Sequence, residues 1–148
     1  MDGYSWVHRV DDVNLEELAH LYRVAPLGNK SPQALATVFG NSMFVCFVYS
    51  DGALVGAGRA LADGVDCAYI GDVAVHPDHQ GRGLGSAIMR RLVELADGHK
   101  KIILYANPGT EDFYGRLGFL RMKTAMGIWS DPGRAIEIGL LSGEHSQE

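Results

Sequence analysis

The first 41 residues show a helical period of apolar positions after a short strand-like stretch at Trp6 to Val10. Asn14 followed by Glu17 has the spacing of a capping box, and apolar residues then recur on one helical face. Ser31-Pro32 predicts the start of a second helix, because a cap residue followed by proline at the first helical position favours one; Gly40 and Asn41 end it. This part of the chain therefore predicts one strand and two helices.

From Met43 the pattern becomes β-branched and aromatic, which is typical of strands. Three strands are predicted, separated by turn signals at Asp51-Gly52 and Asp63-Gly64: Met43 to Tyr49, Ala53 to Leu61, and Cys67 to Val75. Short connections between successive strands indicate an antiparallel meander.

The helical period returns at Leu84 and continues to Leu95, and the buried strand expected after it is Lys101 to Ala106. A strand, a helix and a strand in that order predict a right-handed parallel crossover. Thr110 is expected to cap a short helix that Gly118 ends. A final hairpin, Phe119 to Trp129 with Arg134 to Leu141, is expected around Asp131-Pro132-Gly133.

The predicted fold is one α/β domain over residues 1–148: a mixed, mostly antiparallel sheet with a parallel βαβ crossover and helices on both faces. The polar end, residues 142–148, is expected to be a loose tail.

Composition narrows the function classes. The net charge of -5 argues against a nucleic-acid surface, which would need a basic face. Cys46 and Cys67 lie in apolar, strand-like stretches, so core positions are expected for both. Residues 1–9 lack the build of a signal peptide, and no apolar run reaches the ~20 residues that cross a bilayer. A cytoplasmic protein without membrane or nucleic-acid partners is expected.

The candidate chemistry lies in the glycine loop Gln80 to Ser86, between a strand and the amphipathic helix. Glycines let the backbone approach a ligand, and the amides of a helix N-terminus suit a diphosphate. A plain glycine turn is the alternative. The loop is neither a Walker A loop, since no lysine follows Gly85, nor a dinucleotide fingerprint, since the last glycine position holds Ser86 or Ile88.

The stretch Asp72 to Gly85 resembles the cofactor signature of the GNAT superfamily of acetyltransferases, Arg/Gln-x-x-Gly-x-Gly/Ala, through Gln80, Gly83 and Gly85. A second segment, Asn107 to Phe119, resembles the other signature of that family. Both occur in the expected order, and the resemblance covers nearly the whole chain. Among subfamilies, the chain looks nearest to small bacterial and chloroplast-type amine acetyltransferases.

The resemblance implies acetyl-CoA as co-substrate and no metal. Main-chain groups of Val73 and Val75 would pair with the pantetheine arm, and loop amides would hold the diphosphate. Arg82 either adds charge near the phosphates or is a solvated side chain. Asn107 either hydrogen-bonds the cofactor or caps a turn. The implied cofactor-binding residues are Val73, Ala74, Val75, Gln80, Gly81, Arg82, Gly83, Leu84, Gly85, Ser86, Asn107, Phe113 and Tyr114.

The resemblance implies that Tyr114 is the general acid, since many family members have a tyrosine at this position near the thioester sulfur, and a phenol can protonate the departing thiolate; the alternative is an aromatic core residue. Asp72 is a possible base, in an apolar context that would raise its pKa; equally, it makes a structural hydrogen bond while water relays the proton. His76 and His79 flank a turn and are expected at the surface.

The expected acceptor is a primary amine, a small molecule of arylalkylamine or polyamine type, acetylated by direct attack in a ternary complex. The alternatives are a protein N-terminus or lysine, or a module that binds acyl-CoA without turnover. A homodimer is possible by family habit. An apolar acceptor pocket is the functional interpretation of Tyr22, Pro26, Leu27, Phe39, Met126 and Trp129, whereas the pattern of each residue by itself favours a core position.

Overall fold

Strands and helices alternate along the computed structural model, which describes residues 3–143. The elements are β1 Ser5–Val7, α1 Leu15–Val24, α2 Pro32–Gly40, β2 Phe44–Ser50, β3 Ala53–Ala62, β4 Cys67–Val75, α3 Leu84–Leu95, β5 Lys101–Ile103, α4 Glu111–Arg116 and α5 Pro132–Glu137. A short 3-10 helix, Pro77–His79, follows β4.

The two N-terminal helices begin where the sequence predicts. The Asn14 side chain accepts a hydrogen bond from the Glu17 amide (3.1 Å), and the Ser31 hydroxyl accepts one from the Ala34 amide (3.1 Å). The second half of the predicted capping box is wrong. The Glu17 carboxylate instead accepts a bond from the Leu54 amide at 3.0 Å and so ties α1 to β3.

The sheet has the strand order β1-β2-β3-β4-β5. The first three pairs are antiparallel, and β4 pairs with β5 in parallel after the chain has passed through α3. This confirms the mixed sheet with one parallel crossover.

Helices cover both faces of this sheet, as predicted. Phe47 pairs with Ala57, and Ala57 with Ala74, and these side chains face α1 and α2 in one apolar cluster. The alternate positions of β3 face α3: a Cβ added to Gly58 would lie 2.9 Å from Leu92 Cδ1. Opposite faces follow because successive side chains of a strand alternate.

The predicted C-terminal hairpin is wrong. Residues 119–129 contain no strand in the described chain, and Pro132–Glu137 is α5. Asp131 caps this helix by accepting a hydrogen bond from the Arg134 amide at 3.0 Å, with Pro132 in its first turn. Two predicted strands are also misplaced or too long: β1 is Ser5–Val7, not Trp6 to Val10, and β5 ends at Ile103 instead of Ala106.

Contacts divide the chain into two compact units, one ending at Leu104 and one beginning at Tyr105. One domain over residues 1–148 stays a prediction. Of the predicted tail, residues 144–148 lie outside the described residues. Among the described helices, none is long and apolar enough to span a membrane.

Candidate functional site

The glycine loop adopts a conformation that leaves its main chain accessible. Gly81 and Gly83 have φ of 77° and 81°, in the left-handed region that glycine adopts without strain. Gly83 is the N-cap of α3, and no side chain caps this helix end. A Cβ added to Gly81 or Gly83 would meet nothing within 4 Å. The N-terminus of α3 therefore lacks a capping side chain, and residues 81–83 before it are exposed, which is the arrangement of an anion site.

Gln80 fixes this loop to the strand before it. Its side-chain amide donates to the Val75 carbonyl at 3.1 Å, so the side chain is already engaged within the protein. Leu84, only 1% exposed, is buried in the core and offers the loop its main chain alone. Arg82 is exposed.

Near this loop, β4 continues beyond its pairing with β5. Pairing of β4 with β5 ends at Tyr69 and Ile103, so Ile70 to Val75 extend beyond the last β5 partner. The side chains there point away from the edge: Ala74 is buried in the α1–α2 cluster, and Val73 lies on the α3 face. Successive main-chain groups of a strand point to opposite edges. Because Ala74 pairs with Ala57 and the His76 amide donates to the Val55 carbonyl, Val73 and Val75 are the residues whose main-chain groups can face a ligand at the other edge.

A β-bulge interrupts β4 before this edge. Arg59 pairs with Gly71 and Ala57 with Ala74, so both Asp72 and Val73 lie opposite Gly58. Asp72 has a φ of 55°, in the left-handed region that L-residues other than Asn and Asp rarely adopt.

The prediction that Asp72 lies in apolar surroundings is wrong. Its carboxylate accepts a hydrogen bond from Arg59 Nε at 2.7 Å, in an ion pair whose side chains are 21% and 14% exposed. The structural hydrogen bond, the alternative to a base, is therefore the interaction observed. Arg59 was missed from the sequence, although a single cation within the apolar strand β3 is a signal that an anion faces it.

Two predicted acceptor-pocket residues are core residues instead. Tyr22 and Phe39 are 3% and 1% exposed, and their rings lie 6.3 Å apart in the α1–α2 cluster. The Tyr22 hydroxyl donates to the Asp72 carbonyl at 2.5 Å. Burial raises the pKa of Tyr22 well above its ordinary value, so this phenol remains a donor. Leu27 packs against the same cluster, whereas Met126 is 90% exposed.

Tyr114 lies in α4, in the second compact unit. Its half-buried ring contacts Phe113 and Phe119 edge-on, with centroids 5.0 Å and 6.3 Å away. Burial raises the pKa of the Tyr114 phenol. That shift keeps the proton on the hydroxyl, as an acid requires, while the ring contacts are those of a packed aromatic residue.

The turn before α4 is held by main-chain groups of Asn107. Its carbonyl accepts hydrogen bonds from the Thr110 amide (3.1 Å) and the Thr110 hydroxyl (2.7 Å). Thr110 stands at the N-cap position but makes no side-chain cap, so that expectation is wrong. The Asn107 residue is exposed.

The two histidines before the loop are half-buried, not at the surface as expected. His76 Nδ1 accepts a hydrogen bond from the Asp78 amide (3.1 Å), and His79 Nδ1 is 2.9 Å from the Tyr4 hydroxyl. Of the cysteines, Cys46 is a core residue as predicted, and burial raises its pKa to about 12; Cys67 is half-buried. Among the described residues, no group of three or more His, Cys, Asp or Glu side chains could hold a metal ion.

Comparison with known proteins identifies the family. A model of the acetyltransferase (GNAT) family matches residues 14–119. A protein of Prochlorococcus marinus described as "uncharacterized N-acetyltransferase ycf52-like" is 31% identical over 125 residues, which cover 80% of this chain and 69% of the relative.

Another relative, the chloroplastic serotonin N-acetyltransferase 2 of Oryza sativa, is 47% identical over 72 residues, or 47% of this chain and 36% of the relative. Matches to the first four curated relatives span 36 to 40% of their lengths. Among solved structures, the ribosomal-protein-S18-alanine N-acetyltransferase of Escherichia coli superposes with a TM-score of 0.70 at 21% identity, covering 81% of this chain and 79% of the other. At that identity the likeness shows the fold alone.

Proposed function

Because the chain belongs to the acetyltransferase (GNAT) family, we propose that it transfers an acetyl group from acetyl-CoA to a primary amine by direct attack in a ternary complex. In this reaction the amine nitrogen forms a C–N bond to the thioester carbonyl carbon, and the C–S bond breaks. The departing thiolate gains a proton, and the amine loses one.

The observation that carries this proposal is the uncapped N-terminus of α3. Gly83, in the left-handed conformation, precedes a helix whose first amides have no capping side chain, and residues 81–83 are exposed. A diphosphate supplies the acceptors and the negative charge that such an end favours. The loop thus fits the most highly charged part of coenzyme A, with Gly81 to Ser86 as the donors.

The part of β4 beyond its pairing with β5 supports the placement of the pantetheine arm. The amide groups of that arm can pair with main-chain groups of Val73 and Val75, because this part of β4 extends beyond β5. The Val75 carbonyl already accepts the Gln80 side chain, so the strand edge and the loop are fixed to each other. A ligand that pairs with this edge is therefore guided towards the donors of the loop.

We assign the proton for the thiolate to Tyr114. Its raised pKa keeps the phenol protonated across the physiological range, so the hydroxyl has a proton to donate to the thiolate as it leaves. The ammonium form of the acceptor must lose a proton before attack. Water can carry that proton, since the Asp72 carboxylate is engaged by Arg59.

The acceptor that we propose is a small primary amine, with an arylalkylamine first. Support comes from the similarity to the rice serotonin N-acetyltransferase, which covers 47% of this chain. Tyr22 and Phe39 are buried in the core, so they do not line the acceptor pocket that the sequence predicts. A cytoplasmic location and a homodimer stay predictions.

Release of coenzyme A thiol, followed in the presence of acetyl-CoA and an amine panel, tests the proposal. The panel contains aromatic amines, polyamines, amino acids, aminoglycosides and a peptide with a free N-terminal alanine. We expect amine-dependent thiol release that is greatest with an aromatic amine. Release with the peptide alone would show a protein acceptor. Coenzyme A binding without release for any amine would show a module without turnover and refute the transferase.

A further inference from the structure

The bulge in β4 is held by side chains from three other parts of the fold. Arg59 in β3 binds the Asp72 carboxylate, Tyr22 in α1 binds the Asp72 carbonyl, and Ser42, between α2 and β2, binds Arg59. We infer that this set of side chains, here called the bulge clamp, positions the β4 edge for catalysis and that Asp72 acts in it as a positioning residue. The inference rests on the proposed function.

The bulge needs such support because its conformation is unfavourable by itself. A non-glycine residue in the left-handed region persists only where its surroundings determine its conformation. Asp72, with φ 55°, is held at both ends: the carboxylate by Arg59 and the carbonyl by Tyr22. Neither contact belongs to the β-ladder. Both therefore hold the main chain at the residues where the pairing of β3 with β4 is interrupted.

The Arg59 guanidinium connects the bulge with the chain between α2 and β2. Nε donates to Asp72, and Nη1 donates to the Ser42 hydroxyl at 3.3 Å. That hydroxyl donates in turn to the Val38 carbonyl at 2.7 Å, at the end of α2. The carboxylate is thus compensated in a largely buried place, where removal of its partner would leave an unpaired charge.

Tyr22 anchors the opposite side of the same residue. Its ring is fixed in the core beside Phe39, and its hydroxyl reaches the Asp72 carbonyl. This hydrogen bond therefore fixes the bulge to α1. Because the hydroxyl is the only polar atom of a buried side chain, its removal changes this contact and leaves the packing of the ring in place.

The bulge matters for function because Val73 is part of it and Ala74 and Val75 follow it directly. A bulge adds a residue to one strand and changes the direction of the main chain that follows. Loss of the clamp would let this edge move relative to the loop, and small misplacements of reacting groups reduce rates strongly. One oxygen of the Asp72 carboxylate, Oδ2, accepts the hydrogen bond from Arg59, so this carboxylate has a structural partner.

The test compares Tyr22→Phe and Arg59→Met with two controls. Tyr49→Phe removes another hydroxyl beside the same cluster, and Lys101→Met breaks an equally short but exposed ion pair with Asp66, at 2.8 Å. Three quantities are measured on folded protein: hydrogen exchange of the β4 amides without ligand, the Kd for coenzyme A, and kcat with its pH profile.

For both clamp variants we expect about fivefold faster exchange of the amides that β3 protects at this end of β4, those of Ala74, which pairs with Ala57, and of His76, which donates to the Val55 carbonyl. The Kd for coenzyme A should stay within about twofold, because the loop is intact, while kcat falls by about 10- to 100-fold. The controls should match the parent protein. If Arg59→Met does not fold, Tyr22→Phe alone decides, because it keeps the ring.

Asp72→Asn separates positioning from base catalysis. Asparagine keeps an acceptor for Arg59 but cannot take a proton, so positioning predicts a pH profile of unchanged shape, whereas a base predicts that its acidic limb disappears. Loss of that limb, or unchanged exchange and kcat in both clamp variants, would overturn the inference. If no amine supports turnover, the proposed function fails by itself, and the exchange data still decide whether the clamp holds the bulge.

Discussion

Replacement of either of two glycines in β3 by alanine tests how closely α3 packs on the sheet. A Cβ on Gly58 would lie 2.9 Å from Leu92 Cδ1, 3.0 Å from Ile88 Cγ2 and 3.2 Å from Val73 Cγ2. A Cβ on Gly56 would lie 2.8 Å from Ile88 Cδ1, with its next neighbours at 3.4 Å or more. The first substitution meets three side chains, and the second meets the mobile end of one.

These contacts set the expected magnitudes. Overpacking of a core costs about 1–3 kcal/mol of stability. Replacement of glycine by alanine offsets about 0.4–1 kcal/mol of this cost, because it lowers the conformational entropy of the unfolded chain. Gly58→Ala should therefore lower the free energy of unfolding by about 1–2 kcal/mol. Gly56→Ala should lower it by at most about 1 kcal/mol, because Ile88 Cδ1 can rotate away.

Ile88→Val provides a crossed control, since it removes Cδ1 and keeps Cγ2. By urea denaturation of the single and double variants, Ile88→Val should offset Gly56→Ala by about 0.5–1 kcal/mol and leave the cost of Gly58→Ala unchanged. Equal rescue of both glycine variants would refute this packing, as would a Gly58→Ala protein more stable than Gly56→Ala.

Two further predictions concern single groups. Tyr114→Phe should lower kcat about 10²-fold with little change in coenzyme A affinity. Because burial raises the pKa of Tyr114, the rate of the parent protein should fall at high pH only above the ordinary phenol pKa of 10.0. An unchanged kcat, or a loss of rate from this group below that pH, would contradict the assignment. Hydrogen bonds from the Asp66, Val65 and Cys67 amides lower the pKa of Asp63 below its ordinary value of 3.8. The Asp63 carboxylate therefore stabilises the fold fully at pH values above 3.8, and this stabilisation is lost as the pH falls through the pKa of the folded state. In denaturation at several pH values, the difference between parent and Asp63→Ala should be constant above pH 5 and shrink below pH 3.8, and a difference that grows on acidification would contradict it.

Local signals in the sequence were sufficient for most of the first unit. β4 spans Cys67–Val75 as predicted, and Asn14 and Ser31 cap their helices. These features depend on residues close in the chain. Asp131-Pro132 has the same local signal: a cap residue followed by proline begins α5, just as Ser31-Pro32 begins α2.

The partners of Glu17 and Asp72 are distant in the chain and could not be predicted from local sequence signals. Glu17 binds the Leu54 amide instead of its own helix end, and Asp72 binds Arg59, because strand register brings these groups together. A one-residue change in register would place them on opposite faces, and the sequence alone does not fix the bulge that sets it. The glycine loop was predictable since its chemistry is main-chain, whereas the acceptor pocket was not: buried aromatic residues and pocket residues have the same pattern in sequence.

The most direct test of the central claim, that the first amides of α3 bind the diphosphate of coenzyme A, is calorimetric binding to a Gly85→Asp variant. An acidic residue in the first turn of a helix stabilises the helix by about 0.3–1 kcal/mol, so the variant should fold at least as well as the parent. Gly85→Asn is the uncharged control, and pantetheine is the ligand without a diphosphate. We predict that Gly85→Asp weakens coenzyme A binding at least about tenfold, leaves pantetheine binding unchanged, and exceeds the effect of Gly85→Asn. A folded Gly85→Asp protein that binds coenzyme A as tightly as the parent would contradict the claim.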